Sequence, residues 1–165
     1  MQIRIINWAL VTVIISGFLF YGLAQTSQSE LKNLSQNADV IITGKVTQQN
    51  SNWNENRTRI YTQATIQVEE YLKGGNTGNS IVVSYPGGEV GEVGELYSHM
   101  PRFSKDEEVL LFVKKDKKDL AYKVLNGEDG KMTLYTDKKT GEKVTASNKK
   151  ISSLKNEIKN YVEQQ

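Results

Sequence analysis

The chain predicts a mainly β fold of five to six strands, introduced by a short helix and followed by a longer amphipathic one. Three observations carry this. Apolar and polar residues alternate strictly from Ile60 to Glu69, Val109 to Val113 is a continuous apolar block, and apolar residues return to helical spacing after Ile151. The length of 165 residues, with 38% hydrophobic and 24% charged side chains, suits about one ordinary domain. The absence of Cys rules out a disulfide scaffold, thiolate catalysis and a thiolate metal site. Lys and Arg number 21 against 19 Asp and Glu, a net charge of +2, which is too balanced for a dedicated nucleic-acid binder.

At the amino end, Arg4 precedes a nearly unbroken apolar run from Trp8 to Leu23, with Gly22 and Ala24 as small residues before polar Gln25 and Thr26. This pattern predicts an export signal over residues 1–24, cut after Ala24, and a single mature domain over 25–165. The alternative is a retained anchor from Ile5 to Ala24, long enough for a bilayer core of about 30 Å. Ser27 or Ser29 can cap a short helix through Leu31 and Leu34 that ends near Asn37, with Glu30 in its first turn.

From Ala38 the β-branched run Val40, Ile41, Ile42, Gly44 and Val46 predicts a strand, and Asn50 to Arg59 has the composition of an exposed hairpin loop. In the next strand Ile60, Thr62, Ala64, Ile66 and Val68 share one buried face. Gly74, Gly75 and Gly78 break the ladder before a strand from Ser80 to Tyr85, which Pro86 stops. The block within Glu108 to Lys114 reads as a central strand covered on both sides. Strands at about Ala121 to Leu125 and Lys131 to Tyr135 flank the turn 126–130 and suggest a second hairpin, and Val144 suggests a short edge strand. Ile151, Leu154, Ile158 and Val162 form one stripe of a helix that begins at about residue 148 and is capped by Ser147 or Asn148. Its surroundings are basic: seven Lys against three Glu from Lys138 to Gln165 suit either an anionic surface or the solvated face of a packed helix.

The segment from Pro86 to Lys105 reads as neither strand nor helix, and long ordered loops of this kind are commonly functional. It holds His99, the sole imidazole, together with Glu89, Glu92, Glu95 and Arg102. Adjacent Ser98 and His99 do not make a nucleophile elbow, and glutamates every third residue do not match a known calcium loop. Trp53 in the polar loop, with tyrosines at strand ends, can form an aromatic contact patch. The residues therefore point to ligand binding through Trp53, Glu89, Glu92, Glu95, His99 and Arg102, with no catalytic constellation, metal ligand set or cofactor motif recognised. The alternative reading is a metal-assisted or acid–base hydrolase built on His99 and the loop glutamates.

The runs Ala38 to Val46, Val68 to Gly74 and Phe103 to Phe112 are similar to the netrin-like or tissue-inhibitor-of-metalloproteinase-like group of OB-fold domains. More narrowly, Pro86-Gly87-Gly88, Met100-Pro101-Arg102-Phe103 and Glu107 to Phe112 resemble a set of exported bacterial proteins of unknown function. The resemblance implies an OB-like, partly open barrel with helices packed at its ends. The amino-terminal Cys and disulfides of the animal inhibitors have no counterpart here. What the resemblance then implies is an exported binding barrel, periplasmic, extracellular or on the cell surface. The expected partner is a protein or polysaccharide of the cell envelope, with no nucleic acid, and a membrane only if the first segment is retained.

Overall fold

The computed structural model describes residues 28–75, 78–116 and 121–164. The expected export segment 1–24, the boundary after Ala24 and the capping Ser27 lie outside the described residues. The chain divides into two compact units, Met1–Asn33 and Leu34–Gln165. Of the first, residues 28–33 are described, and they are helical. Helix α1 covers residues 28–37 and so ends within the second unit. There the Lys73 ammonium donates to the carbonyls of Ser35 at 3.0 Å and Gln36 at 2.7 Å, placing a cation where the helix dipole is negative. Among the described residues no helix is long and apolar enough to cross a membrane.

Among the described residues nine strands follow: β1 (Val40–Trp53), β2 (Ile60–Lys73), β3 (Ser80–Pro86), β4 (Gly88–Val90), β5 (Val93–Glu95), β6 (Glu108–Lys115), β7 (Tyr122–Val124), β8 (Lys131–Thr136) and β9 (Lys143–Thr145). Helix α2 (Ile151–Glu163) completes the chain. The order β1-β2-β3-β7-β6, with β6 pairing back onto β1, closes a five-stranded OB-like barrel, and β8 and β9 extend the sheet beyond it. The joint between β3 and β7 is one parallel pair, Val83 with Tyr122, so the expected opening is a thin seam in a closed ring.

Closure rests on β1, which serves two neighbours. Its register shifts between Ile41 and Ile42, Thr43 and Gly44, and Val46 and Gln48, and such irregularities bend a strand around a barrel. At Gly44 a Cβ would collide with the Gln67 carbonyl, so only glycine allows β2 to approach this closely. Ile42, Val46, Ala64, Ile66, Val83, Val109, Leu111 and Val113 fill the interior. Leu110 and Phe112 alternate with these along β6 and are also fully buried, which is why that strand reads as continuously apolar. Leu154 and Ile158 are the buried side of α2, which packs on β2 and β9.

Four expectations are corrected. The loop expected over Asn50 to Arg59 is shorter, because β1 continues to Trp53. The Asn54 carboxamide oxygen then accepts the amides of Thr58 and Arg59 at 2.8 and 3.1 Å, beside backbone bonds from Asn54 to Arg59 and from Arg57 to Asn54 that close the turn. β7 and β8 do not form a hairpin. Both pair with β6, over Val113 to Lys115 and Glu108 to Leu111, on the edge opposite β1. They run in the same direction, because left-handed Asn126 and Gly127 and the 3-10 turn Gly127–Gly130 carry the chain out and back without reversing it. Residues 86–105 are not all irregular, since β4 and β5 form a hairpin. Finally, α2 starts at Ile151 behind Lys150, with no side-chain cap. The Thr145 hydroxyl binds Ser147 at 2.9 Å and the Lys149 amide at 3.2 Å, and Val144 bridges to Lys150. Ser147 is thereby occupied in a turn before the helix, and Asn148 takes a left-handed conformation there.

Candidate functional site at the barrel mouth

The inward side of the strands changes character toward one end of the barrel. Along β2 it runs Ile66, Ala64, Thr62, and on β1 Gln49 and Ser51 stand opposite Ala64 and Thr62. Over this polar rim lies an open cleft of about 680 Å3. Gln49, Ser51 and Thr62 form its strand side, Tyr85, Tyr97 and Phe103 contribute rings, and Glu89, Leu96 and Arg102 stand on the crossing segment. This size falls in the range of ligand sites, about 300–1,000 Å3.

Hydrogen bonds hold the rim together. The Thr62 hydroxyl donates to the Gly87 carbonyl at 2.6 Å, and its single proton is thereby used. In the 2.8 Å contact between Ser51 Oγ and Thr62 Oγ1, Ser51 is therefore the donor. Burial pushes the Tyr85 hydroxyl pKa up, against the opposing effect of Thr62 and the Phe103 backbone. Gly88 passes directly over these hydroxyls: a Cβ there would collide with both Thr62 and Ser51, and its φ of 126° disfavours other residues. This explains locally why two glycines follow Pro86.

The chain then forms the β4–β5 hairpin through the two-residue turn Gly91-Glu92, with Gly91 at φ 63°, the conformation such a first turn position requires. Glu95 fastens the hairpin to the barrel. Its Oε2 accepts the Ile60 amide at 3.0 Å and the Tyr97 hydroxyl at 3.0 Å. The bond to this carboxylate raises the Tyr97 pKa. Next, His99 adopts φ 59° and its carbonyl accepts the Glu128 amide at 3.0 Å. Gly127 makes that approach possible, since a Cβ on it would strike the His99 carbonyl. Phe103 then plugs the floor, 5.5 Å from the Tyr85 ring and 5.3 Å from the Lys131 ammonium. Lys131 is held in turn by Glu107 at 2.5 Å.

A smaller depression of about 300 Å3, lined by Ser98, His99, Glu128 and Lys131, shares Tyr97, Met100, Pro101 and Arg102 with the cleft. Of the residues singled out in the sequence, Glu89, Glu95 and Arg102 line the cleft, and His99 lines the smaller depression with Arg102. Glu92 is exposed at the hairpin turn and lines neither. Trp53 is half-buried at the end of β1 opposite Ile60 and also lines neither. The three glutamates are not gathered, because the hairpin sets Glu89 opposite Gly94, Glu92 in the turn and Glu95 opposite Gly88. Among the described residues no group of three His, Asp or Glu side chains could hold a metal ion. Tyr85 and Tyr97, two of the tyrosines expected in an aromatic patch at strand ends, line the cleft, whereas Gln49, Ser51 and Thr62 were missed as cleft residues. Thr62 carried a signal, as a hydroxyl on the inward phase of β2. Gln49 and Ser51 did not, because the irregularity after Val46 shifts the phase of β1.

Five of the seven lysines of the basic carboxyl-terminal region are paired internally. Lys143 pairs with Glu69 and Glu108, Lys149 with Glu157, Lys150 with Glu142, and Lys155 and Lys159 with Glu70. These pairs fit the packed, solvated helix rather than a free polycation. No family model of known proteins matches the chain, and no curated protein matches it.

Proposed function

We propose that the protein is an exported recognition module of the cell envelope that receives part of a polymeric partner in the cleft at its barrel mouth. The observation that supports this most is the order of the crossing segment 86–102. Thr62, Glu95 and the His99 carbonyl fix it at successive points, while Arg102 and Glu89 stand in the cleft without an ion pair to any described residue. A binding segment ordered before contact loses less conformational entropy than a free one. The strand order β1-β2-β3-β7-β6 supports the OB-like barrel that the proposed kinship with the netrin-like group implies.

The test is capture of material from a cell-envelope fraction by the chain starting at Gln25, compared with its Arg102→Ala and Tyr97→Ala variants. Capture is expected to fall at least severalfold in both variants while their thermal unfolding stays within a few degrees of the parent. Equal capture by all three proteins at equal folding removes the cleft as the recognition site.

A further inference from the structure

We infer that the cleft at the barrel mouth takes an uncharged polyhydroxylated chain, a segment of neutral oligosaccharide. This rests on the reading of the cleft as the recognition site and narrows it to one ligand chemistry.

The argument follows the protons. Thr62 gives its only hydroxyl proton to the Gly87 carbonyl, so Ser51 gives its own to Thr62. Ser51 Oγ is left as a pure acceptor on the rim, with its lone pairs available. Tyr97 spends its proton on Glu95 in the same way, so its hydroxyl also meets a ligand as an acceptor. Glu89 adds the oxygens of its carboxylate as further acceptors. Arg102, which lines the same cleft, can only donate. A ligand that satisfies this set must both give and take hydrogen bonds.

A lysine or arginine side chain supplies donors but would lie in a cleft that already holds the Arg102 guanidinium. A carboxylate or phosphate would satisfy Arg102 and leave Ser51, Tyr97 and Glu89 facing a second acceptor. A hydroxyl group does both at once, and a sugar ring carries several in sequence. Its C–H face also suits contact with the Tyr97 ring beside exposed Leu96.

The experiment is amide NMR titration of the full chain with neutral oligosaccharides of glucose and of N-acetylglucosamine, with oligogalacturonate as the anionic arm and a lysine–glycine peptide as the cationic arm. Saturable shifts at Gly87, Gly88, Ser51 and Tyr97 with a neutral oligosaccharide are expected. Ser51→Ala and Arg102→Ala should each weaken that affinity roughly tenfold, as loss of one good polar contact does. Gln67→Ala, on the outward side of β2, should leave it unchanged. Shifts of the same amides with only the anionic or the cationic arm overturn the saccharide assignment. So does the absence of cleft shifts with every neutral oligosaccharide at millimolar concentration while envelope capture still depends on Arg102, and in that case the cleft remains the recognition site. Envelope capture that is indifferent to both substitutions removes the site and this inference with it.

Discussion

The Glu107 carboxylate and the Lys131 ammonium meet at 2.5 Å, each with 12% of its side chain open to water, and Lys131 lies over the Phe103 ring at the floor of the cleft. Glu107 is further held by the Thr133 hydroxyl at 2.5 Å and by the Ser104 amide at 2.9 Å. One carboxylate thus ties β8 to the end of the crossing segment. Removing one partner of a buried pair leaves the other charge uncompensated. Lys131→Met should destabilise the fold by about 3 kcal/mol in chemical denaturation, the lower end for such pairs because Thr133 and Ser104 still serve Glu107. A loss below about 1 kcal/mol would mean that the pair is solvated in solution.

The same carboxylate makes stability depend on pH. Burial pushes the Glu107 pKa up, but the hydrogen bonds from Lys131, Thr133 and Ser104 outweigh it and hold the value below that of an ordinary glutamate. A group depressed in the folded state contributes stability above its unfolded pKa, about 4.3, and that stability is lost as pH falls through the folded value. Glu70 is lowered in the same direction, first by its hydrogen bond from Lys155. Unfolding free energy should therefore fall as pH drops below about 5, and the fall should be shallower in Glu107→Gln. Parallel acid profiles for the two proteins would contradict this.

Glu95 is a latch whose oxygen matters more than its charge. Glu95→Gln keeps an acceptor for the Ile60 amide, whereas Glu95→Ala leaves that amide without a protein partner. Hydrogen exchange at Ile60 should accelerate by roughly tenfold or more in the Ala variant, as about 1–3 kcal/mol is lost, and change little in the Gln variant. Equal exchange in all three proteins would show that the hairpin is held by other contacts.

Gly127 provides a test of the crossing segment independent of its charges. Its φ of 63° and its contact with the His99 carbonyl make Gly127→Ala costly by about 1–3 kcal/mol. The expected signature is local: amide shifts from Tyr97 to Arg102 with the interior of β1 and β2 unmoved. A variant with wild-type stability and spectrum would show that the approach of His99 to Gly127 is not required.

Helix α2 separates apolar from ionic contributions. Leu154→Ala should cost about 2–5 kcal/mol, since the side chain is 1% exposed. Glu70→Ala should cost less than about 1 kcal/mol, because its pairs with Lys155 and Lys159 are partly exposed and screened. Comparable losses from the two substitutions would reverse that ranking.

The strands with their own strong periodicity were legible without coordinates. Ile60 to Lys73 alternates because one face is interior, and Glu108 to Lys115 is continuously apolar because both faces are covered. The register of β1 was hidden by its irregularities, which move Gln49 and Ser51 onto the inward side. The relation of β7 to β8 was misread because a glycine-bearing turn between two strands usually reverses the chain, and here left-handed Asn126 and Gly127 do not. Within the cleft, Glu89, Glu95 and Arg102 were found because they lie on one segment. Their partners Ser51, Thr62 and Tyr85 come from three strands, and only pairing brings those together.

The excursion between β7 and β8 has a modular character. Val124 stands opposite Val113, the Leu125 amide bonds to the Phe112 carbonyl, and Lys131 stands opposite Leu111. Residues 126–130 are consequently an insertion that leaves the ladder in frame on both sides, while their only described backbone bond to the crossing segment is the one to His99. Barrel framework and rim contour are thus written in separate stretches of chain, and the rim can be reshaped by lengthening, shortening or recoding that short stretch without asking any strand to change its neighbour.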